Sequence, residues 1–143
     1  MTLNGSKRFG IHLDVTVKLI KQDLTRRFRY AQIDLTPEQW SLLDELASHG
    51  EMAQRELASG TFKDAPTVSR IVDLLVKRDL VFRKADEDDR RKYLLSLTEQ
   101  GRKVYGLSAP IVDEARRRGW SGLDDADYEH LKKILTRISK NVQ

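Results

Sequence analysis

Residues 64–98 read DAPTVSRIVDLLVKRDLVFRKADEDDRRKYLLSLT and contain the most informative pattern in the sequence, a helix followed by a charged hairpin. Residues 64–77 predict a helix, because Asp64 can cap free backbone N–H groups and Pro66 is tolerated in a first helical turn. Apolar residues at helical spacing predict its buried face, which consists of Val68, Ile71, Val72 and Leu75. The opposite face then carries Thr67, Ser69, Arg70, Asp73 and Lys77.

The second half of the stretch predicts a β-hairpin with a charged tip. Residues 80–84 and 93–97 are predicted as its strands, and in the second Tyr93, Leu95 and Leu97 alternate with Leu94 and Ser96. Between them, residues 83–92 mix cations and carboxylates, and Asp89 is expected to hold the guanidinium of Arg91 by a charge-assisted hydrogen bond. Taken alone, a mixed-charge turn of this kind is more typical of a solvated loop.

A short predicted helix at residues 54–59 precedes the helix at 64–77. Two helices joined by a tight connection, the second with small polar residues and Arg outside, form the layout of a helix-turn-helix. Thr67, Ser69 and Arg70 lie in the first two turns, where a recognition helix reaches base edges in the major groove. The alternative is that Arg70 is a solvated surface residue.

Further helices are predicted on both sides of this region. Residues 36–39 form a capping box with Pro at the first helical position, and the helix that follows ends at Gly50. Thr98 caps another helix, which is expected to bend at Pro110, and Asp124 caps the last one.

The N-terminal helix has an apolar stripe that a small domain cannot cover by itself. Its members recur at intervals of three and four and are Phe9, Leu13, Val17, Ile20, Leu24, Phe28 and Ala31. Such a helix is roughly 33 Å long. We therefore expect the stripe to meet a second chain.

Composition restricts the classes of protein to which the chain can belong. Its 143 residues are 39% hydrophobic and 34% charged, as expected for one soluble globular domain rather than a disordered or membrane protein. The excess of 26 Lys and Arg over 22 Asp and Glu is compatible with a polyanionic partner. Residues 1–9 show no signal region and no stretch is apolar enough for a membrane span, so a cytoplasmic location is expected.

Catalytic and metal-binding motifs are not found in the sequence. There is no cysteine, no glycine-rich phosphate loop and no nucleophile elbow, and the three histidines lack ligand spacing. Residues 86–89 are acidic, but Arg90 and Arg91 stand where a calcium loop needs an oxygen ligand and a glycine. We expect no enzyme activity, no cofactor and no metal.

Several of these segments resemble one family. Residues 89–98 followed by Gly101 resemble the wing signature of the multiple-antibiotic-resistance regulator (MarR) family, an Asp-x-Arg tip leading into an apolar strand and Leu-Thr. Residues 35–40, 56–58 and 67–72 resemble its second, third and recognition helices, in the correct order. The resemblance covers roughly residues 9–142. Asp79 stands where the family usually has glycine before the first wing strand.

The resemblance implies a mainly α fold with a small β-hairpin: a winged helix-turn-helix with N- and C-terminal dimerisation helices. Residues 1–34 and 99–143 would form the dimerisation helices and residues 35–98 the DNA-binding region, all within one compact domain. Paired subunits with two-fold symmetry imply a pseudo-palindromic site on duplex DNA.

The resemblance also implies roles for individual residues. The recognition-helix contacts would be Lys63, Asp64, Pro66, Thr67, Ser69 and Arg70. The wing contacts would be Lys84, Asp89, Arg90 and Arg91, with Arg91 in the minor groove and Asp89 supporting it. A crevice for a small aromatic or amphipathic effector would be lined by Phe9, His12, Tyr30 and Trp40, although aromatic residues at helical spacing more often belong to a core or a dimer interface.

The function implied is a dimeric, sequence-specific regulator of transcription, acting as a repressor and modulated by an effector. The alternative is a winged-helix module whose long helices bind other proteins, with little DNA binding.

Overall fold

The computed structural model describes residues 8–61 and 63–143. In these ranges the chain forms six helices and three short strands: α1 Phe9–Tyr30, α2 Pro37–His49, β1 Met52–Ala53, α3 Gln54–Thr61, α4 Ala65–Lys77, β2 Val81–Ala85, β3 Tyr93–Leu97, α5 Glu99–Gly119 and α6 Asp125–Val142. Most of the N-terminal segment searched for a signal region, residues 1–7, lies outside the described residues, as does Phe62.

The predicted hairpin is confirmed, and it belongs to a larger sheet than expected. Strand β3 lies between β1 and β2 and is antiparallel to both. In the hairpin, Val81 pairs with Leu97 and Ala85 with Tyr93. Strand β1 was not predicted, because two residues are too few to show an alternating pattern.

The predicted buried face of α4 lies in the centre of the core. Val68, Val72 and Leu75 are fully buried, and Ile71 packs against them while remaining half-buried. Leu57 of α3 and Leu95 of β3 are also fully buried in this cluster. The short helix, the helix at 64–77 and the hairpin therefore share one hydrophobic core, as a winged helix-turn-helix requires.

The predicted helix start at residues 36–39 is confirmed. The Gln39 backbone N–H donates to Thr36 Oγ1 at 3.1 Å, and the Thr36 backbone N–H donates to Gln39 Oε1 at 3.0 Å. These two hydrogen bonds satisfy N–H groups that the helix leaves free. The helix ends at Gly50, whose φ of 73° is in the left-handed region.

A left-handed residue also ends α4. Asp79, at the position where glycine was expected, has a φ of 60°. The Asp79 N–H donates to the Val76 carbonyl at 3.0 Å and the Leu80 N–H to the Leu75 carbonyl at 2.9 Å, the two hydrogen bonds of a Schellman motif. Asp is among the few residues that tolerate this conformation, so the turn keeps its geometry without glycine.

The start of α5 is held against this turn. Thr98 Oγ1 donates to the Asp79 carbonyl at 2.6 Å, and the Thr98 N–H donates to the Leu80 carbonyl at 3.1 Å. One turn later, Gly101 lies so close that a Cβ there would overlap the Leu80 carbonyl oxygen. The turn at residues 79–80, between α4 and the wing, is therefore fixed against the start of α5.

Helix α5 is joined to α2 by two polar contacts. The Trp40 indole N–H donates to Ser108 Oγ at 3.0 Å in the buried core. The Tyr105 hydroxyl donates to Asp44 Oδ1 at 2.6 Å, and this hydrogen bond, with partial burial, raises the pKa of Tyr105 to about 12. Pro110 lies inside α5, which continues to Gly119, and a bend at this proline stays a prediction.

Two helices leave apolar side chains uncovered. Helix α1 buries Phe28 but exposes most of its apolar side chains between residues 9 and 20, including Ile20 at 61%. Helix α6, capped by Asp124 as predicted, has no buried residue along its length. Its exposed apolar side chains are Tyr128, Leu131, Ile134, Leu135 and Val142.

We expect Gly101→Ala to lower the free energy of unfolding by about 1 to 3 kcal/mol, because the new methyl group must displace the Leu80 backbone. Gly106→Ala is the matched control in the same helix, since a Cβ there meets no atom within 4 Å. The control should be neutral or stabilise by up to about 1 kcal/mol through helix propensity. Urea denaturation of both variants tests this, and equal stability of the two would contradict the proposed close approach.

Candidate nucleic-acid interface

The first turn of α4 is fixed by Asp64. Its carboxylate Oδ1 accepts a hydrogen bond from the Thr67 backbone N–H at 2.8 Å, which holds the pKa of Asp64 below its usual value. Asp64 therefore remains ionised and caps the helix. In the sequence it was placed among the recognition-helix contacts; in the structure its observed bond is to the helix itself.

The outward face of α4 presents a small set of polar and charged side chains. Pro66 and Arg70 are exposed, whereas Thr67, Ser69 and Lys63 are half-buried. Among the described residues, no carboxylate oxygen lies within 4.0 Å of a charged nitrogen of Lys63 or Arg70. Both cations are therefore available to a ligand.

The wing tip is shaped by hydrogen bonds from backbone N–H groups to its carboxylates. Asp86 Oδ1 accepts from the Asp88 N–H at 2.9 Å, and Asp89 Oδ1 accepts from the Arg91 N–H at 3.0 Å. The expectation that Asp89 holds the Arg91 guanidinium was therefore wrong about the atom. The Asp89 carboxylate accepts from the Arg91 main chain because an Asp side chain readily bonds the backbone N–H two residues further along, as in an Asx-turn.

Cations of the wing fall into paired and unpaired groups. Arg90 and Arg91 are exposed at the tip and make no ion pair with any residue that the structure describes. Lys84, in β2 just below the tip, pairs with Glu51 at 3.0 Å, and this hydrogen-bonded contact raises the pKa of Lys84. Lys84 was expected to contact DNA, but its ammonium group is held by a carboxylate below the tip.

A groove joins the wing to the two helices of the helix-turn-helix. Its volume is about 240 Å³, and it is lined by Ala53, Gln54, Arg55, Ala58, Ala65, Val68, Arg91, Lys92 and Tyr93. Arg91 and the first turn of α4 thus border the same space. Arg55, in the first turn of α3, also lines this groove. It was not among the predicted contacts, although its position at the start of the helix-turn-helix could have indicated it.

An ion pair that the sequence did not predict links the wing to α4. Arg83 Nη2 lies 2.6 Å from Asp73 Oδ1, and the Arg83 guanidinium lies 5.5 Å from the centroid of the Tyr93 ring. The partners belong to different elements, and no periodicity relates a helix residue to a strand residue.

The four residues proposed to line an effector crevice do not meet within one chain. Phe9 and His12 lie in the first turn of α1 and Tyr30 in its last, which separates them by roughly 30 Å. Trp40 is 4% exposed and stacks on Tyr105 with ring centroids 5.9 Å apart. Tyr30 borders a cavity of about 580 Å³ between α1 and α5.

Within the described ranges, no group of three or more His, Cys, Asp or Glu residues is placed to hold a metal ion. None of the helices described combines the length and the apolar character that a membrane crossing needs.

Comparisons with known proteins identify the family. The sequence model of the MarR family matches residues 33–92. The HTH-type transcriptional regulator FarR of Neisseria gonorrhoeae is 31% identical over 133 residues, which are 90% of this chain and 91% of FarR. The HTH-type transcriptional repressor NicR of Pseudomonas putida is 38% identical over 104 residues, covering 73% of this chain and 66% of NicR.

A solved structure agrees with these sequence relatives. The crystal structure of the S. aureus MepR–DNA complex superposes with a TM-score of 0.84 at 26% identity, covering 98% of this chain and 99% of that one. The fold and the order of its elements thus lead to the same family as the FarR sequence, which is matched over 91% of its length. The chain belongs to the MarR family of winged-helix transcriptional regulators.

Proposed function

We propose that the chain regulates transcription by binding duplex DNA sequence-specifically as a homodimer, most simply as a repressor that occupies an operator. Helix α4 enters the major groove, with Arg70 directed at base edges and Thr67 and Ser69 beside it. The wing tip enters the adjacent minor groove through Arg91, assisted by Arg90. Lys63 and Pro66 flank the helix at the phosphate backbone.

The observation that supports this proposal best is the distribution of unpaired cations. At the outward face of α4 and the wing tip, Lys63, Arg70, Arg90 and Arg91 have no carboxylate partner among the described residues. In strand β2, below the tip, Arg83 and Lys84 are both paired. A duplex supplies the phosphates that the unpaired group lacks, and each neutralised phosphate releases counterions.

The homodimer is supported by the apolar faces of α1 and α6. An exposed contiguous apolar face of this length is unusual on a monomer. Residues 1–34 and 99–143 are therefore proposed as dimerisation segments around the DNA-binding residues 35–98. Two-fold symmetry then places the two α4 helices in half-sites about one helical turn apart.

We propose a binding protein and not an enzyme, since the relatives named above are described as transcriptional regulators and repressors. Action on chromosomal DNA would place it in the cytoplasm. A small aromatic or amphipathic effector remains part of the proposal; Tyr30 at the α1–α5 cavity is its best-placed lining residue in one chain.

The competing function is association with other proteins through α1 and α6, with little DNA binding. Fluorescence anisotropy with the intergenic DNA upstream of its own gene distinguishes the two. Sub-micromolar binding that weakens steeply with salt supports the regulator, because phosphate contacts dominate such affinity. Absent binding, or binding that does not change with salt, supports the competing function.

Arg91→Ala should weaken binding to that duplex by about 1 to 3 kcal/mol while leaving the melting temperature unchanged. The loss comes from one cation at the minor groove. Lys133→Ala, which removes one exposed cation from α6, is the charge-matched control and should bind as the unaltered protein does. Equal affinities for the two variants, measured by anisotropy, would reject the role assigned to Arg91.

Sedimentation at micromolar concentration should show only the doubled mass. The double variant Leu131→Glu and Leu135→Glu places two charges on the apolar face of α6 and should yield monomers, because these side chains need a partner surface. Lys133→Glu, on the opposite face of the same helix, should remain dimeric. A monomeric unaltered protein would contradict the assignment of the dimerisation helices.

A further inference from the structure

We propose that Arg83 is a positioning residue for DNA binding: by pairing with Asp73 it keeps a carboxylate on the recognition helix from capturing Arg70 and from facing phosphates. The inference rests on the proposed DNA-binding function and adds a residue to it. Arg83 itself need not touch the duplex.

The recognition face of α4 contains a carboxylate, Asp73, that can compete with DNA phosphates for the cations of the same face. Asp73 lies three residues after Arg70 and four before Lys77, the spacings at which helix side chains are neighbours. Its side chain is 60% exposed, so it is free to turn toward either cation. An Asp73–Arg70 pair would occupy the guanidinium that the proposal assigns to base edges.

In the structure Asp73 is held elsewhere. Its Oδ1 accepts a hydrogen bond from Arg83 Nη2 at 2.6 Å. In the described part of the chain, neither Arg70 nor Lys77 has a carboxylate oxygen within 4.0 Å. Of three cations within reach, Asp73 therefore pairs with the one that belongs to the wing.

The pairing is favoured because Arg83 is pre-positioned. Arg83 lies opposite Leu95 in the hairpin register, so Tyr93 is its diagonal neighbour on the same face of the sheet. The guanidinium lies 5.5 Å from the Tyr93 ring centroid, and the Arg83 side chain is only 25% exposed. Arg70, exposed on a helix, has no such support.

The consequence is mainly electrostatic. Paired with Arg83, Asp73 adds no net charge to the face that meets the duplex. Without Arg83, the same carboxylate repels phosphates and competes with them for Arg70. A partly exposed ion pair contributes little to folding, so its loss should appear in DNA affinity rather than in stability.

Two variants break the same ion pair with opposite effects on charge, and this asymmetry is the test. Arg83→Gln leaves Asp73 ionised and unpaired, and should weaken binding to the upstream intergenic duplex about tenfold or more. Asp73→Asn removes the carboxylate and should change affinity by less than about threefold. The double variant should return to the affinity of Asp73→Asn, and Arg83→Lys should stay within about threefold of the unaltered protein.

Arg117→Gln breaks a comparable surface pair with Glu114 in α5 and is the control, with no change expected. Equal losses in Arg83→Gln and Asp73→Asn would show a structural brace and overturn the proposal. A double variant as weak as Arg83→Gln would also overturn it, because Arg83 would then contact DNA directly. If Arg83→Gln lowers the melting temperature, the DNA affinities of Asp73→Asn and Arg83→Lys are compared with that of the unaltered protein instead. A large loss of affinity in either variant would then reject the positioning role of Arg83. Failure of the unaltered protein to bind DNA would instead reject the proposed function.

Discussion

The face of α4 formed by Val68, Val72 and Leu75 is fully buried, and this burial determines which side of the helix a duplex can reach. Rotating the helix by even one residue, about 100°, would expose these side chains and turn Thr67 or Ser69 into the core. Both ends are also fixed, by the Asp64 cap and by the left-handed turn at Asp79. The positions of the polar side chains are therefore a consequence of core packing.

The same packing sets the wing relative to α4. Leu95 of β3 is fully buried in the core that holds α4, and the Leu80 carbonyl is clamped by Thr98 and approached closely by Gly101. An interface that contacts the major groove through α4 and the minor groove through the wing needs these two elements at a fixed separation. The rigid turn between them therefore suits such an interface.

Much of this arrangement could be predicted from the sequence, because local rules carried it. The Thr36 and Asp64 caps, the apolar spacing of α4 and the alternation in residues 93–97 each depend on neighbours within a few positions. Relations between distant elements could not be predicted this way. The two-residue strand β1, the Lys84–Glu51 pair and the Arg83–Asp73 pair all require the tertiary fold. The effector residues Phe9, His12, Tyr30 and Trp40 do not meet within one chain, and their grouping stays a prediction. The stacking of Trp40 on Tyr105 is again a relation between distant elements.

Chemical footprinting of the bound upstream duplex shows which grooves α4 and the wing occupy. Dimethyl sulfate reports guanine N7 in the major groove, and hydroxyl radicals report access to the backbone along the minor groove. We expect two protected clusters of guanine N7 about one helical turn apart, each flanked by protected minor groove on its outer side. Bound DNA with an unprotected major groove, or with a single protected cluster lacking symmetry, would contradict this expectation.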